Sequence, residues 1–512
     1  MKHHGAIGAG HIETVRAAEE ILRDGGNAFD AVIAAQFAAC VVEPVLCSLG
    51  GGGYLIFRDS KGRHGVYDFF VQTPRQKPKL DELDFYPIQA DFGTATQEFH
   101  IGRASIATPG TVRGMFEIHR DLASMPMSRL VEPAIRLAKN GINLNAFQAY
   151  ILDIVKPIYQ VSSETREIFT RQDEAARMKG EGDSYRMTGF ADVLDALAHE
   201  GDALFYRGEI AAAICHVTRE GGCLDSEDLK QYTVEKRRAL QSAYGNHRLL
   251  TNPLPSSGGT LIHFALQLLH EVQIGQYRHG SYAYLRMLAN VMDATSRARV
   301  MASQNPNGLA SLLDPEQLKT FVKTLKGRAQ ALRGTTHISI VDAKGNAAAM
   351  TLSNGEGCGH MLPGMQIMLN NMLGEEDLNP QGFHHWQTDQ RMTSMMAPSL
   401  LLDRDGGVTA LGSGGSNRLR TAVLQTLINL VDFGMHLEEA VQLPRIHLEQ
   451  DVLNIEGGLR EDVVNALVDD FPQHVLWPEH NLFFGGVHAV RFDRTGLSAA
   501  GDPRRGGCTS LL

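Results

Sequence analysis

The chain has 512 residues, of which 43% are hydrophobic and 21% charged, and this composition is typical of a globular protein rather than a disordered or fibrous one. Acidic residues exceed basic ones, so that the formal net charge is -10. Because no basic cluster that could follow a phosphate backbone is present, nucleic acid is excluded as the expected partner.

Two helices separated by a glycine pair are predicted first. Residues 15–22 place apolar side chains on one helical face, and Gly25-Gly26 predicts the end of that helix. The second helix begins near Asn27 and is apolar on nearly all sides, which predicts that it is buried.

Four glycines, residues 50–53, then lead into a strand. A phosphate-binding loop would close on Gly-Lys-Ser/Thr, whereas Tyr54-Leu55 follow here. We therefore interpret the glycines as a place of close backbone packing at the strand entry, and we expect no nucleotide.

The six cysteines and 21 histidines do not form the ligand pattern of a metal site. No cysteine belongs to a CxxC pair, and neither His384-His385 nor the Cys358-x-His360 pair completes a zinc ligand set. We expect no metal, no other cofactor and isolated reduced thiols. The sequence given shows no secretory leader and no apolar run that could span a bilayer, so we expect a cytoplasmic protein without a membrane partner.

The composition changes at about residues 305–334, where a polar, basic segment predicts an exposed tether. After it, apolar and polar residues alternate over 337–341, a turn follows at 342–346, and a second run of small residues predicts the return strand of a β-hairpin. Strand-like stretches with flanking helices continue to the end of the chain. This arrangement predicts a layered α+β architecture.

Nine stretches, in the same order, resemble those of γ-glutamyltranspeptidases. They include "GGNAFDAVIAAQFAACVVEPVLCSLGGGGYL", "GTTHISIVDAKGNAAAMT", "PLPSSGG", "LGSGGSNR" and the terminal "GDPRRGG", and they extend over about residues 5–508. The resemblance implies an N-terminal-nucleophile hydrolase with a four-layer αββα sandwich, made as one precursor and cut into two chains.

The family's cleavage site corresponds to the bond between Gly334 and Thr335. Residues 1–334, including the tether, would form a large chain, and residues 335–512 a small chain that starts with the nucleophile. The resemblance implies that the two chains form one intertwined catalytic unit, and it allows for a homodimer of such units.

The resemblance makes Thr335 the nucleophile, and cleavage would supply its base. A threonine hydroxyl reacts poorly without an adjacent base. The α-amine freed at Thr335 would have an ordinary pKa of about 7.7–8.0, which is close to the working pH. Gly334, on the other side of the bond, has no Cβ and therefore tolerates a strained geometry.

Other positions take their roles from the same resemblance. The backbone N–H groups of Gly414 and Gly415 correspond to the family's oxyanion hole. The same two glycines are also typical of a turn between strands. Ser353 lies where the family has a second hydroxyl that contacts the amine of the nucleophile.

Two further groups resemble the family's substrate contacts. Thr393-Ser394 match a hydroxyl pair that holds the α-carboxylate of the substrate, although local hydrogen bonds could equally satisfy such a pair. Glu375 aligns with the acid that would hold the α-ammonium group. Asn354 lies one place before the family's asparagine, whose own position is taken by Gly355.

The largest departure from the family is Phe70, which lies where an arginine pairs with the γ-glutamyl α-carboxylate. An arginine–carboxylate pair is a strong and geometrically specific contact, and phenylalanine offers neither charge nor donors. Arg75, five residues further on, could reach this place only by a different route.

Three functions remain open from the sequence. The leading interpretation is an amidohydrolase or acyltransferase that cleaves γ-glutamyl amides such as glutathione through a γ-glutamyl-threonine ester, with water or an amine as acceptor. The second is a relative that cleaves another small amide, such as an acylated amine or a β-lactam side chain, and Phe70 favours it. The third is an inactive scaffold of the same fold, which the presence of Thr335, Gly414 and Gly415 argues against.

Overall fold

The computed structural model describes residues 4–91, 96–171, 177–303, 308–314, 334–379, 381–415 and 417–512. Of the tether predicted at about 305–334, these ranges include little more than a short 3-10 helix, Gly308–Leu313, so that prediction lies mostly outside the described residues. Within the described ranges, no helix combines the length and the apolar character needed to cross a bilayer.

Two antiparallel sheets form the centre of the fold. The first has seven strands, in the spatial order β22 (Cys508–Leu511), β1 (Gly5–Ala9), β11 (Thr336–Asp342), β12 (Ala347–Ser353), β2 (Gly52–Arg58), β3 (His64–Phe69) and β8 (Glu235–Arg237). The second has six strands, in the spatial order β21 (Gly496–Ala500), β20 (Gly486–Asp493), β16 (Val408–Gly414), β15 (Ser399–Asp403), β10 (His247–Thr251) and β9 (Leu240–Tyr244). Small peripheral sheets contain the other strands: β4 (Tyr86–Asp91), β5 (Thr96–Ile101), β6 (Ile142–Asn143), β7 (Ser184–Tyr185), β13 (Met361–Leu362), β14 (Ile367–Met368), β17 (Ile446–Glu449), β18 (Val452–Ile455) and β19 (His474–Leu476).

Helices cover the outer faces of the two large sheets. The described residues form α1 (Ile12–Arg23), α2 (Ala28–Val42), α3 (Thr111–Leu122), α4 (Met127–Asn140), α5 (Ala146–Ile154), α6 (Lys156–Tyr159), α7 (Ser163–Phe169), α8 (Thr188–Glu200), α9 (Ala203–Arg207), α10 (Glu209–Thr218), α11 (Ser226–Gln231), α12 (Ser257–Glu271), α13 (Tyr282–Ser303), α14 (Asn417–Val431), α15 (Leu437–Gln442) and α16 (Glu461–Asp470). Helices α1, α2 and α3 pack on the seven-stranded sheet, and α12, α14 and α15 pack on the six-stranded sheet. The sheets face each other, with β11 and β12 against β16. This is the four-layer αββα sandwich, and the α+β prediction is confirmed.

The two N-terminal helices form where the sequence predicts them. Helix α1 ends just before Gly25-Gly26. The side chain of Asn27 accepts from the N–H groups of Phe29 and Asp30, and Asp30 in turn accepts from the N–H of Asn27 at 2.8 Å, which is a capping box. Every residue of α2 is buried, as its apolar character predicts.

The central hairpin and the strand beside it are also confirmed. Strands β11 and β12 pair with Thr336 opposite Leu352, and the carboxylate of Asp342 accepts from two N–H groups of the turn. Strand β2 lies against β12, and a Cβ on Gly51 would come within 2.4 Å of the carbonyl oxygen of Ser353. The glycine run before β2 therefore lets that strand approach the hairpin closely.

Both sides of the proposed cut contribute to both large sheets. In the seven-stranded sheet, β11 lies between β1, from before residue 334, and β12, from after it. The six-stranded sheet likewise joins β10 to β15. Thr335 immediately precedes β11, which is an interior strand of the seven-stranded sheet.

Candidate active site

Thr335 lies at the edge of a small cavity at the end of the sandwich. Its exposed fraction is 6%, and the cavity of about 30 Å³ has room for one or two water molecules. The residues lining this cavity are Phe70, Gly334, Thr335, Ser353, Met372, Glu375, Asp377, Leu378, Ser394, Met395, Met396 and Leu419. The chain is continuous through Gly334 and Thr335, so its own peptide occupies one wall of the site.

The backbone of Gly334 is held by hydrogen bonds at both its carbonyl and its N–H. Its carbonyl oxygen accepts from the hydroxyl of Thr335 at 2.5 Å and from the hydroxyl of Ser353 at 3.0 Å. Its N–H donates to the carboxylate of Glu356 at 2.9 Å. Hydroxyl donors therefore converge on the carbonyl whose bond to Thr335 the sequence predicts to be cut.

Ser353 owes its position to the hairpin. It is the last residue of β12, opposite the start of β11, and its hydroxyl also accepts from the N–H of Gly355 at 3.0 Å. This second hydrogen bond orients the hydroxyl proton of Ser353 toward the carbonyl of Gly334. The structure thus brings Ser353 to the predicted nucleophile.

Gly414 and Gly415 also lie beside Thr335. A Cβ on Gly414 would come within 2.2 Å of the carbonyl oxygen of Thr335, so no larger residue fits there without backbone movement. Gly415 follows with φ of +114°, a conformation that favours glycine. Strand β16 therefore ends with its backbone against the nucleophile, where the resemblance expects an oxyanion hole.

Two buried ionisable side chains, Arg505 and Glu43, lie near these glycines. The guanidinium of Arg505 donates to the carbonyl of Thr335 at 3.5 Å, and its charge acts on the carboxylate of Glu43. Burial raises the pKa of Glu43 to about 7, although the hydroxyls of Thr336 and Thr14 and the charge of Arg505 oppose that change. Burial likewise lowers the pKa of Arg505 to about 10. The sequence motif that contains Arg505 was recognised, but its contact with Thr335 depends on the fold.

His337 is excluded as the base by its surroundings. Its two ring nitrogens are bound to the hydroxyls of Thr351 at 2.7 Å and Ser339 at 2.8 Å. Burial holds the pKa of His337 well below its usual range, so the ring is neutral at physiological pH. The histidine of the Thr-Thr-His run is therefore structural.

The wall of the cavity that contains Phe70 is mainly apolar. The ring of Phe70 is 1% exposed and stacks on Tyr54, with 5.6 Å between ring centroids. Methionine and leucine side chains complete this wall, and Glu375 and Asp377 are its acidic members. Among the described residues, none of those that line the cavity is basic.

Two arginines near this wall are bound elsewhere. The guanidinium of Arg75 pairs with Asp389 at 3.0 Å, and Arg75 is not part of the cavity wall. Arg391, which sequence reasoning missed, donates to the carbonyls of Phe70 and Thr233. Neither arginine takes the place of the family's carboxylate-binding residue.

The predicted substrate residues are only partly brought together. Glu375 and Ser394 line the cavity, whereas Thr393 and Asn354 do not. Asn354 is fully buried, and its amide has no hydrogen-bond partner among the described residues. The hydroxyl of Ser394 accepts from the N–H of Met396 at 3.1 Å.

The glycine at position 355 is required by its neighbours. Its φ is +67°, and a Cβ there would come within 1.9 Å of the side-chain oxygen of Asn371 and 2.5 Å of the carboxylate of Glu375. An asparagine, which the family has here, cannot fit unless both side chains move. The replacement is therefore coupled to the close approach of Glu375.

Comparisons with known proteins agree with this geometry. The sequence profile described as Gamma-glutamyltranspeptidase matches residues 14–512. The chain belongs to this family. It is therefore an enzyme of the γ-glutamyltransferase and hydrolase type, as the sequence predicts.

Relatives with different names match the chain at similar sequence identity. The chain is 27% identical to the Acylase ACY 1 proenzyme of Pseudomonas sp. (strain SE83), over 96% of this chain and 90% of that protein. It is 25% identical to the Glutathione hydrolase proenzyme of Bacillus subtilis (strain 168), over 90% and 84%. The Capsule biosynthesis protein CapD proenzyme of Bacillus anthracis is 28% identical, over 98% and 89%. These sequence identities are too similar to indicate which acyl group the substrate of this enzyme carries.

A solved structure shows the same fold. The cephalosporin acylase from Bacillus halodurans superimposes with a TM-score of 0.84 and 23% identity, over 99% of this chain and 96% of that chain. At this identity the likeness establishes the fold alone.

Proposed function

We propose that this protein is an autoprocessed amidohydrolase whose nucleophile is Thr335. We propose further that the acyl group of its substrate carries no free α-carboxylate. The observation that carries the proposal is the cavity beside Thr335, in which Phe70 replaces the family's arginine and no described lining residue is basic. This choice corresponds to the second of the functions left open by the sequence.

Self-cleavage would begin at the hydroxyl of Thr335. Its oxygen attacks the carbonyl carbon of Gly334, and the peptide nitrogen leaves as the amine of Thr335, which takes up a proton. Hydroxyls at 2.5 and 3.0 Å from the carbonyl oxygen support this step, and once Thr335 attacks, Ser353 remains to stabilise the developing negative charge. Water then hydrolyses the ester, which leaves a carboxylate on Gly334 and a free Thr335.

The mature enzyme would use the new amine as its base. The amine accepts the hydroxyl proton of Thr335 as the oxygen attacks the substrate amide, and the N–H groups of Gly414 and Gly415 stabilise the tetrahedral intermediate. The proton passes to the leaving amine, and an acyl-threonine ester remains. Water, or an amine acceptor, then resolves the ester.

The γ-glutamyl alternative keeps two observations in its favour. Ser394, one of the two hydroxyls expected to hold the α-carboxylate, lines the cavity. Glu375, the acid expected to hold an α-ammonium group, also lines the cavity. However, a γ-glutamyl group also carries a carboxylate, and burying an unpaired carboxylate is costly. The homodimer and the cytoplasmic location remain proposals from the sequence.

Mass spectrometry of the purified protein tests the mechanism. We expect chains of 334 and 512 − 334 = 178 residues, with Thr335 as the new N-terminus, and an intact chain in Thr335→Ala. Thr335→Ser keeps both a hydroxyl and an α-amine and should be cut. Amidase turnover by an uncut, homogeneous precursor would refute the role of the amine.

A further inference from the structure

We infer that Glu356 is the positioning residue of self-cleavage, because it holds the backbone N–H of Gly334, the residue whose carbonyl Thr335 attacks. This inference rests on the proposed function, since it assumes that the bond after Gly334 is the one cut. It concerns a residue that sequence reasoning did not single out.

The geometry gives Glu356 and Ser353 complementary tasks. Ser353 donates to the carbonyl of Gly334 at 3.0 Å, and Glu356 accepts from the N–H of the same residue at 2.9 Å. A glycine has more backbone freedom than any other residue, so a hydrogen bond at only one end would leave its carbonyl free to rotate. Bonds at both ends hold the carbonyl carbon in front of the hydroxyl of Thr335.

Glu356 is itself held firmly. It is 2% exposed, and its own N–H donates to the side-chain oxygen of Asn371 at 3.0 Å. Gly355 and Gly357, on either side, have φ of +67° and +97°. This sharply bent backbone directs the carboxylate of Glu356 back toward Gly334.

The chemistry of this contact points to a task before cleavage. A carboxylate accepts N–H hydrogen bonds more strongly than a neutral oxygen does, and a buried carboxylate is costly unless it is hydrogen-bonded. The N–H that Glu356 holds belongs to the chain end that separates from Thr335 when the bond is cut. A carboxylate that served only the packing of the mature enzyme would not need to bind this group.

The test follows the rate of self-cleavage in the full-length chain. Wild type, Glu356→Gln, Glu356→Leu and Val66→Ala are made by cell-free translation with labelled methionine. After synthesis is stopped, denaturing gels report the loss of the 56.0 kDa chain with time, and thermal unfolding reports stability. Val66, a buried residue of β3, serves as the destabilised control because β3 is separated from β12 by β2.

We expect Glu356→Leu to slow cleavage by about tenfold or more, because it removes an acceptor of carboxylate strength. Glu356→Gln keeps a side-chain oxygen and should restore most of the rate. Val66→Ala should cleave at close to the wild-type rate even if it unfolds at a lower temperature.

Three results would overturn the inference: wild-type cleavage in Glu356→Leu, equal slowing in Glu356→Gln and Glu356→Leu, or equal slowing in Val66→Ala at matched stability. Failure of the proposed function has a different signature. In that case the wild-type chain stays whole, or Thr335→Ala is cut as well.

Discussion

The proposal that no cation binds the carboxylate of the acyl group can be tested with substrates that differ by a single group. Four anilides form a matched set: γ-glutamyl carries both an ammonium and a carboxylate, 4-aminobutyryl only the ammonium, glutaryl only the carboxylate, and butyryl neither. The perturbation is the removal of the carboxylate while the scissile bond stays the same.

The expected magnitude follows from what surrounds the acyl group. A hydrogen bond to a charged group contributes about 1.5–3 kcal/mol, which corresponds to a factor of roughly 10 to 160 in kcat/KM. Because Phe70 lies in the wall and no described lining residue is basic, we expect no such contribution from a cation. We therefore expect kcat/KM for the γ-glutamyl anilide to be no higher than that for the 4-aminobutyryl anilide.

The assay is the initial rate of aniline release by fully cleaved enzyme, at several concentrations of each substrate. Comparing 4-aminobutyryl with butyryl measures the contribution of an ammonium group near Glu375 in the same experiment. If the γ-glutamyl anilide were turned over ten times better than the 4-aminobutyryl anilide, a cation would have to hold the carboxylate, and the interpretation of Phe70 would be wrong.

Three further outcomes follow from the site. Ser353→Ala should slow self-cleavage by about 10²–10³-fold, the usual effect of removing one oxyanion donor. Ser353→Thr keeps the hydroxyl and should still be cleaved. An unchanged cleavage rate of Ser353→Ala in gel assays would contradict this role. Gly414→Ala should abolish turnover, since its Cβ would lie 2.2 Å from the carbonyl oxygen of Thr335. In the control Gly8→Ala, the nearest atom to the new Cβ would be the carbonyl oxygen of Ala489 at 3.4 Å, so this variant should retain turnover. The pKa of Glu43 is raised from 4.5 to about 7 on folding, so its contribution to stability is greatest below pH 4.5 and is lost as the pH rises through 7. Glu43→Gln should therefore show a smaller fall in melting temperature between pH 5 and 8 than wild type, and an equal fall would exclude Glu43 as the cause.

Local patterns and the family resemblance were sufficient for much of the fold. Helix α2 follows from a capping residue and a continuous apolar run, and the hairpin of β11 and β12 follows from alternation around a turn. These features depend on neighbouring residues, so the sequence contains all the information they need. The motif around Thr335 pointed to the nucleophile in the same way, because the family's motif is contiguous.

The surroundings of Thr335 were decided only by the tertiary structure. Glu356 lies 22 positions from Gly334 along the chain, and their contact exists because two glycines bend the backbone after β12. Asn354, expected at the substrate, is buried away from the cavity, while Phe70 lies in its wall. No periodicity encodes such contacts, since they arise where separate strands and loops pack together. The sequence by itself predicted Thr335 as the residue that reacts, and the packing of distant segments decided that Glu356 holds the N–H of Gly334 and that Phe70 lies in the cavity wall.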